Sequence, residues 1–157
     1  PGPGVGGHCI AIDPWFIVES APNATALIQS ARKVNNGKTS HIIDKIKSAL
    51  SVMTRPTVAF LGLAYKANIN DLRESPAVQI AQTISLDNTI SVLIVEPYIQ
   101  SLPDRLAEAN NVRLVDLESA YEDADLIVVL TDHTLFHERL PEPNAKKRII
   151  DTRGIWR

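Results

Sequence analysis

At 157 residues the chain is long enough for one ordinary domain with a buried core, or one domain plus a substantial appendage, and two full domains would be a squeeze. A hydrophobic fraction of 45%, a charged fraction of 22% and a formal net charge of -2 describe a globular protein with no general electrostatic pull on nucleic acid or an anionic membrane, so partners must be argued from sites. One cysteine excludes an internal disulfide, no Cys and His combination has zinc spacing, so no metal is expected, and without a signal peptide or an apolar run of membrane-span length the expected compartment is the cytoplasm.

The chain opens PGPGVGGHCIAIDPWF, with four glycines in six positions ahead of Cys9. Glycine crowding permits positive φ and close approach of backbone N–H groups, so the run reads as a cradle that presents Cys9 to something small. Gly2, Gly4 and Gly7 satisfy G-x-G-x-x-G, but a phosphate-binding fingerprint follows a strand and opens a helix; here nothing precedes the glycines and Pro14 soon follows. Neighbours in an extended segment face opposite ways, so His8 is not expected to pair with Cys9. Trp15 and Phe16 are expected to pack beneath the loop. A first residue of Pro1 inside such a loop reads as a piece of a longer chain.

From Asn23 onward ATALIQSARKVNNGKTSHIIDKIKSALSVM carries apolar residues at helical spacing: Leu27, Ile28, Ala31 and Val34, then Ile42, Ile43, Ile46 and Leu50. Asn23 is the expected N-cap and Gly37 the expected break between two helical segments. Core packing accounts for this stripe, and a partner subunit is its second use, so a homodimer through residues 24–52 is expected. After Pro56 strand-length apolar runs alternate with helical ones: TVAFLGLA, SPAVQIAQTISL, ISVLIVEP, LPDRLAEAN, VRLV, DLESAYEDA with Asp116 as cap, DLIVVLT, HTLFHERL and KRIIDTRG. That rhythm predicts an α/β fold, a doubly wound, mostly parallel Rossmann-like sheet of five strands preceded by a helical segment. The boundary falls between residues 1–55 and 56–157.

Ligands of such sheets bind at the carboxyl ends of the strands, which here run into GLAYKANINDLRESPA, EPY, TDHT and DTRGIWR. Lys66, Asp71, Arg73, Glu74, Asp151 and Arg153 are therefore expected along one rim. Two guanidinium groups and a lysine suit a diphosphate, and mutual pairing with the three acids is the plain alternative. A second reading makes the α/β domain a dinucleotide module, with Gly62, Ala64 and Ala67 as a degenerate fingerprint and Glu96 as the ribose-binding acid. His41, His133 and His137 read as ordinary helix or rim residues.

GPGVGGHC with Asp13 four residues beyond the cysteine, then FLGLAYKANINDLRESPA, then IIDTRG, closely resembles the UDP-glucose/GDP-mannose dehydrogenase family. HCIAIDPWFIV is most similar to the branch acting on UDP-N-acetyl-D-mannosamine; UDP-glucose and UDP-N-acetylglucosamine stand as alternatives. The resemblance covers the second half of such an enzyme, and implies an upstream Rossmann domain that holds NAD, a helical dimer interface, and a UDP-sugar bound by the present chain. It implies Cys9 as the nucleophile and Asp13 as a supporting carboxylate. It implies substrate contacts from Gly2, Gly4, Gly6, Tyr65, Lys66 and Arg153, and an NAD contact from Arg73. Oxidation of an alcohol to an acid removes two hydrides, and a cysteine that captures the aldehyde as a thiohemiacetal, then carries a thioester to hydrolysis, keeps the intermediate from escaping. The lysine and asparagine that complete this chemistry lie upstream of Pro1, so the chain by itself is expected to be silent.

Overall fold

A computed structural model describes residues 2–141 and 147–156. Two helices come first, α1 (His8–Ser20) and α2 (Ala26–Leu50), joined by a 3₁₀ turn at Pro22–Ala24. The remainder alternates: β1 (Thr57–Leu61), α3 (Pro76–Ser85), β2 (Ser91–Val95), α4 (Asp104–Ala107), β3 (Val112–Leu114), α5 (Leu117–Asp123), β4 (Leu126–Val129), α6 (Thr134–Glu138) and β5 (Arg148–Asp151). All four strand pairings are parallel and the order is β3-β2-β1-β4-β5, the doubly wound five-stranded sheet expected from the apolar runs.

Alternation along β1 explains why both faces need helices. Val58 and Phe60 point into one core with Ile42, Ile46, Ile80, Ile84 and Leu106; Ala59 and Leu61 point into the other with Leu117, Ala120 and Phe136. The helices are set by local chemistry. Ser75 caps α3 by accepting from Ala77 N at 3.2 Å, ahead of Pro76 in the first turn. Asp116 caps α5 by accepting from Ser119 N at 2.7 Å, as its sequence position predicts.

Three expectations for the first segment need correction. The helix is not broken at Gly37: α2 runs unbroken through it. A glycine costs an exposed helix interior about 1 kcal/mol, whereas burial of Ile42, Ile43, Ile46 and Leu50 against α3 and the sheet is worth about 1.5–3 kcal/mol per side chain. Asn23 is not the N-cap; it lies in the 3₁₀ turn, and Thr25 precedes the helix with its hydroxyl turned back to the carbonyls of Ala21 and Pro22. Trp15 and Phe16 are not beneath the loop; they are exposed on α1.

The apolar stripe of α2 splits in two. Its C-terminal half is core, with Ile42 at 4% and Ile46 at 0% exposure, while Leu27 at 83% and Val34 at 74% remain on the surface. Charges at Ile42 or Ile46 therefore test folding and say nothing of a dimer. Among the described residues no helix is long and apolar enough to cross a membrane.

Candidate functional site

The glycine run is docked on the rim of the sheet. A Cβ on Gly2 would lie 2.6 Å from Arg153 Nη1, one on Gly7 2.8 Å from the Tyr65 ring, and one on Gly6 would strike the carbonyl oxygen of Glu74. Gly7 also needs its glycine for conformation, at φ 96. Two side chains of α2 hold the run from the other side. Asn35 accepts from Val5 N at 2.7 Å and donates to Val5 O at 3.0 Å, and Thr39 donates to Pro3 O at 2.9 Å. Neither was expected from sequence, where both lie within two residues of the break expected at Gly37.

Cys9 does not sit in an extended loop. Gly7 is the N-cap of α1, so His8 and Cys9 form its first turn. In that geometry neighbouring side chains need not diverge, and Cys9 Sγ lies 3.6 Å from His8 Nδ1. Cys9 and Asp13 are four residues apart on α1 and share one exposed face. Pro14 lies inside this helix, and its missing N–H frees the carbonyl of Ile10, which accepts from Arg32 Nη1 at 3.4 Å.

The expected rim charges divide into three settings. Arg73 is clasped to Asp71, its Nε donating at 2.9 and 3.1 Å to the two carboxylate oxygens and its Nη2 at 2.6 Å. Hydrogen bonds from the Arg73 side chain and backbone hold the Asp71 carboxyl down at about 2, and the same pairing raises Arg73. Arg153 is half-buried: its Nε donates to Leu130 O at 3.0 Å and lies 3.3 Å from Asp132 Oδ1. Asp151 builds the turn beneath it, accepting from the backbone N–H groups of Arg153, Gly154 and Trp156 at 2.9, 2.6 and 3.0 Å. Lys66 is exposed beside the half-buried Tyr65. The plain alternative thus holds for Arg73 with Asp71, while one flank of Arg153 lies against Gly2 and Lys66 stays exposed.

Glu96 has a different fate from the one its strand-end position suggests. It is buried, accepts from Leu63 N at 2.7 Å and Ala64 N at 3.0 Å through Oε2, and from Tyr98 N at 3.2 Å through Oε1. His133, equally buried, meets Glu96 Oε2 at 3.1 Å through Nε2 and accepts from Asn68 N at 2.9 Å through Nδ1, which places the ring proton on Nε2. Burial pushes the Glu96 carboxyl up, but the His133 and backbone hydrogen bonds outweigh it and leave it below its ordinary value. No ribose can reach this acid without breaking that set. The sequence showed the acid but not its partner, because His133 lies 37 residues away.

Comparison with known proteins places these motifs. The family model for the UDP binding domain of the UDP-glucose/GDP-mannose dehydrogenase family matches residues 59–157, and that for its central domain matches residues 1–37. An NDP-N-acetyl-D-galactosaminuronic acid dehydrogenase from Ralstonia nicotianae is 47% identical over 156 residues, covering 99% of this chain and 36% of its own. A UDP-N-acetyl-D-mannosamine dehydrogenase from Yersinia pestis is 43% identical over 165 residues, covering all of this chain and 39% of its own. Among solved structures, the UDP-N-acetyl-mannosamine dehydrogenase Cap5O from S. aureus superposes with a TM-score of 0.78 at 33% identity, over 99% of this chain and 36% of that one. A UDP-glucose dehydrogenase from Pyrobaculum islandicum shares the fold, with a TM-score of 0.83 at 22% identity. The chain spans little more than a third of the length of these relatives, and it belongs to the UDP-glucose/GDP-mannose dehydrogenase family.

Proposed function

We propose that the chain is the UDP-binding, cysteine-bearing portion of a nucleotide-sugar 6-dehydrogenase. Its substrate is UDP-N-acetylmannosamine, with UDP-glucose or UDP-N-acetylglucosamine the alternatives. The observation that carries the reading is the seating of the glycine run against both Tyr65 and Arg153, which joins the Cys9 turn to the sheet rim in one surface. Residues 1–55 supply the cysteine turn and the central helices, and residues 56–157 the UDP-binding domain.

On this reading Lys66 and Arg153 take the diphosphate, and the N–H groups between Gly2 and Gly6 orient the sugar so that C6 meets Cys9 Sγ. Cys9 Sγ adds to the C6 aldehyde left by the first hydride loss; the thiohemiacetal loses a second hydride to become a thioester, and water hydrolyses that to the carboxylate and the free thiol. Asp13, on the same face, supports the charge changes at that carbon. NAD would supply the hydride acceptor, one equivalent for each of the two oxidations. Within this chain the turn after β1 does not fit it, because Glu96 fills that turn, and Arg73 at the rim is the contact to a cofactor held by an upstream domain. The exposed Leu27 and Val34 offer the homodimer surface within residues 24–52, and the cytoplasm is the proposed compartment.

Calorimetric titration of the chain with UDP, and separately with NAD, tests this directly. UDP should bind and NAD should not, and Lys66→Ala or Arg153→Ala should each weaken UDP by at least about tenfold, the value of a charge-assisted hydrogen bond. Binding of NAD without UDP overturns the reading.

A further inference from the structure

The turn that follows β1 is built to hold an anion. Leu63 and Ala64 aim successive backbone N–H groups at one point, and Gly62, at φ 88, brings the chain so close to Thr131 that a Cβ would collide with that side chain. In dinucleotide-binding sheets this turn receives a phosphate at the start of the following helix. Here α3 starts only at Pro76, and its N-cap Ser75 is committed to the same turn, donating to Leu63 O at 2.6 Å. Thr131 donates to Ala64 O at 2.7 Å. Each of these polar groups in the turn is therefore met from within the protein, and the two N–H groups that a phosphate would take are met by a carboxylate with 0% side-chain exposure.

We infer that Glu96 is a resident anion, a built-in occupant of the anion site at the β1 turn, which closes this domain to a dinucleotide and ties together the loops leaving β1, β2 and β4. The tie is physical. Glu96 leaves β2, its Oε2 gathers Leu63 and Ala64 from β1, and His133 carries the link on to β4 and back to Asn68. Tyr65 and Lys66 lie between these two anchored points, so the segment proposed to meet the uridine diphosphate is held at both ends. A second negative group at the same N–H pair would meet the Glu96 charge in a site closed to water, where like charges exclude one another. Closure of the turn does not depend on the UDP reading, whereas its bearing on Lys66 rests on it.

Removal of the side chain should convert the intramolecular anion into an exogenous one. Glu96→Ala should lose at least about 5 °C in Tm, and sodium formate should restore part of that loss along a saturating curve, relative to sodium chloride at equal ionic strength. Formate should leave the wild-type chain and the core-cavity control Ile46→Ala unchanged. Absence of a formate-specific gain in Glu96→Ala, or an equal gain in all three proteins, overturns the inference. Should Glu96→Ala not fold, Glu96→Gln keeps the shape and loses the charge. Amide exchange at Leu63 and Ala64 in that variant should then rise at least tenfold while Val58–Phe60 stays protected; unchanged exchange at both turn amides overturns the inference. Failure of the wild-type chain to bind UDP, with the formate rescue of Glu96→Ala intact, would count against the UDP reading alone.

Discussion

Asn35→Ala isolates the grip of the central helix on the glycine run. Asn35 satisfies both the N–H and the C=O of Val5, at 2.7 and 3.0 Å, and sits on a helix anchored in the core further along by Ile42, Ile46 and Leu50. Each such bond contributes about 0.5–1.5 kcal/mol net, so their loss should weaken docking of the run by about 1–3 kcal/mol, a factor of about 5 to 150 in the opening equilibrium. The run is a peripheral segment held by Asn35, Thr39 and glycine contacts to Tyr65, Glu74 and Arg153, so it should open locally and leave the sheet closed. Hydrogen exchange followed by mass spectrometry reads this directly: peptides covering Val5–Cys9 should lose protection by that factor, and peptides covering β1 and β4 should not. Unchanged protection at Val5–Cys9 would show that packing against Tyr65 and Arg153 alone holds the run. Loss of protection throughout would show that the run and the sheet open together, and either result refutes the reasoning.

Gly7→Ala places a Cβ 2.8 Å from the Tyr65 ring at φ 96, and should cost about 1–3 kcal/mol through strain at a left-handed position, read as a lower urea midpoint with unchanged slope. Ile46→Ala removes a fully buried side chain of α2 and should cost about 2–5 kcal/mol in the same assay; a loss below about 1 kcal/mol would mean that this half of the helix is not core. Asp71 and Glu96 both have lowered folded-state values, so each stabilises the protein above its ordinary carboxyl range and loses that contribution as the pH falls through the lowered value. For Asp71 the window runs from its ordinary 3.8 down to about 2; Asp71→Asn should flatten the stability–pH curve there, and a curve identical to wild type would remove the Arg73 pairing from the account.

The fold was legible because each strand of the sheet is a short unbroken apolar run, and runs such as TVAFL and LIVVL have no helical alternative once Pro56 and Asp125 bound them. The helical segment was legible as apolar periodicity but not in its boundaries. Gly37 carries a local break signal that the burial of Ile42 and Ile46 on the next turns overrides, and Asn23 carries a cap signal that Pro22 diverts into a 3₁₀ turn. At the site, Cys9 and the rim arginines were visible as motifs. What stayed hidden were the pairings made across the fold: Asn35 with Val5, Ser75 with Leu63, and Glu96 with His133. A strand-end glutamate is the same letter whether it waits for a ribose or fills its own neighbouring turn, and only the backbone N–H groups of Leu63 and Ala64 decide which.

The central claim is that one surface, made of the glycine run and the rim, takes a uridine diphosphate while the β1 turn takes nothing. Amide chemical-shift mapping of the chain with UDP and with NAD in parallel measures both halves at once. The account predicts UDP-dependent shifts at Gly2–Gly7, Tyr65, Lys66 and Arg153, with Leu63 and Ala64 unmoved by NAD. Shifts at Leu63, Ala64 and Glu96 on addition of NAD, with the glycine run silent to UDP, would contradict it.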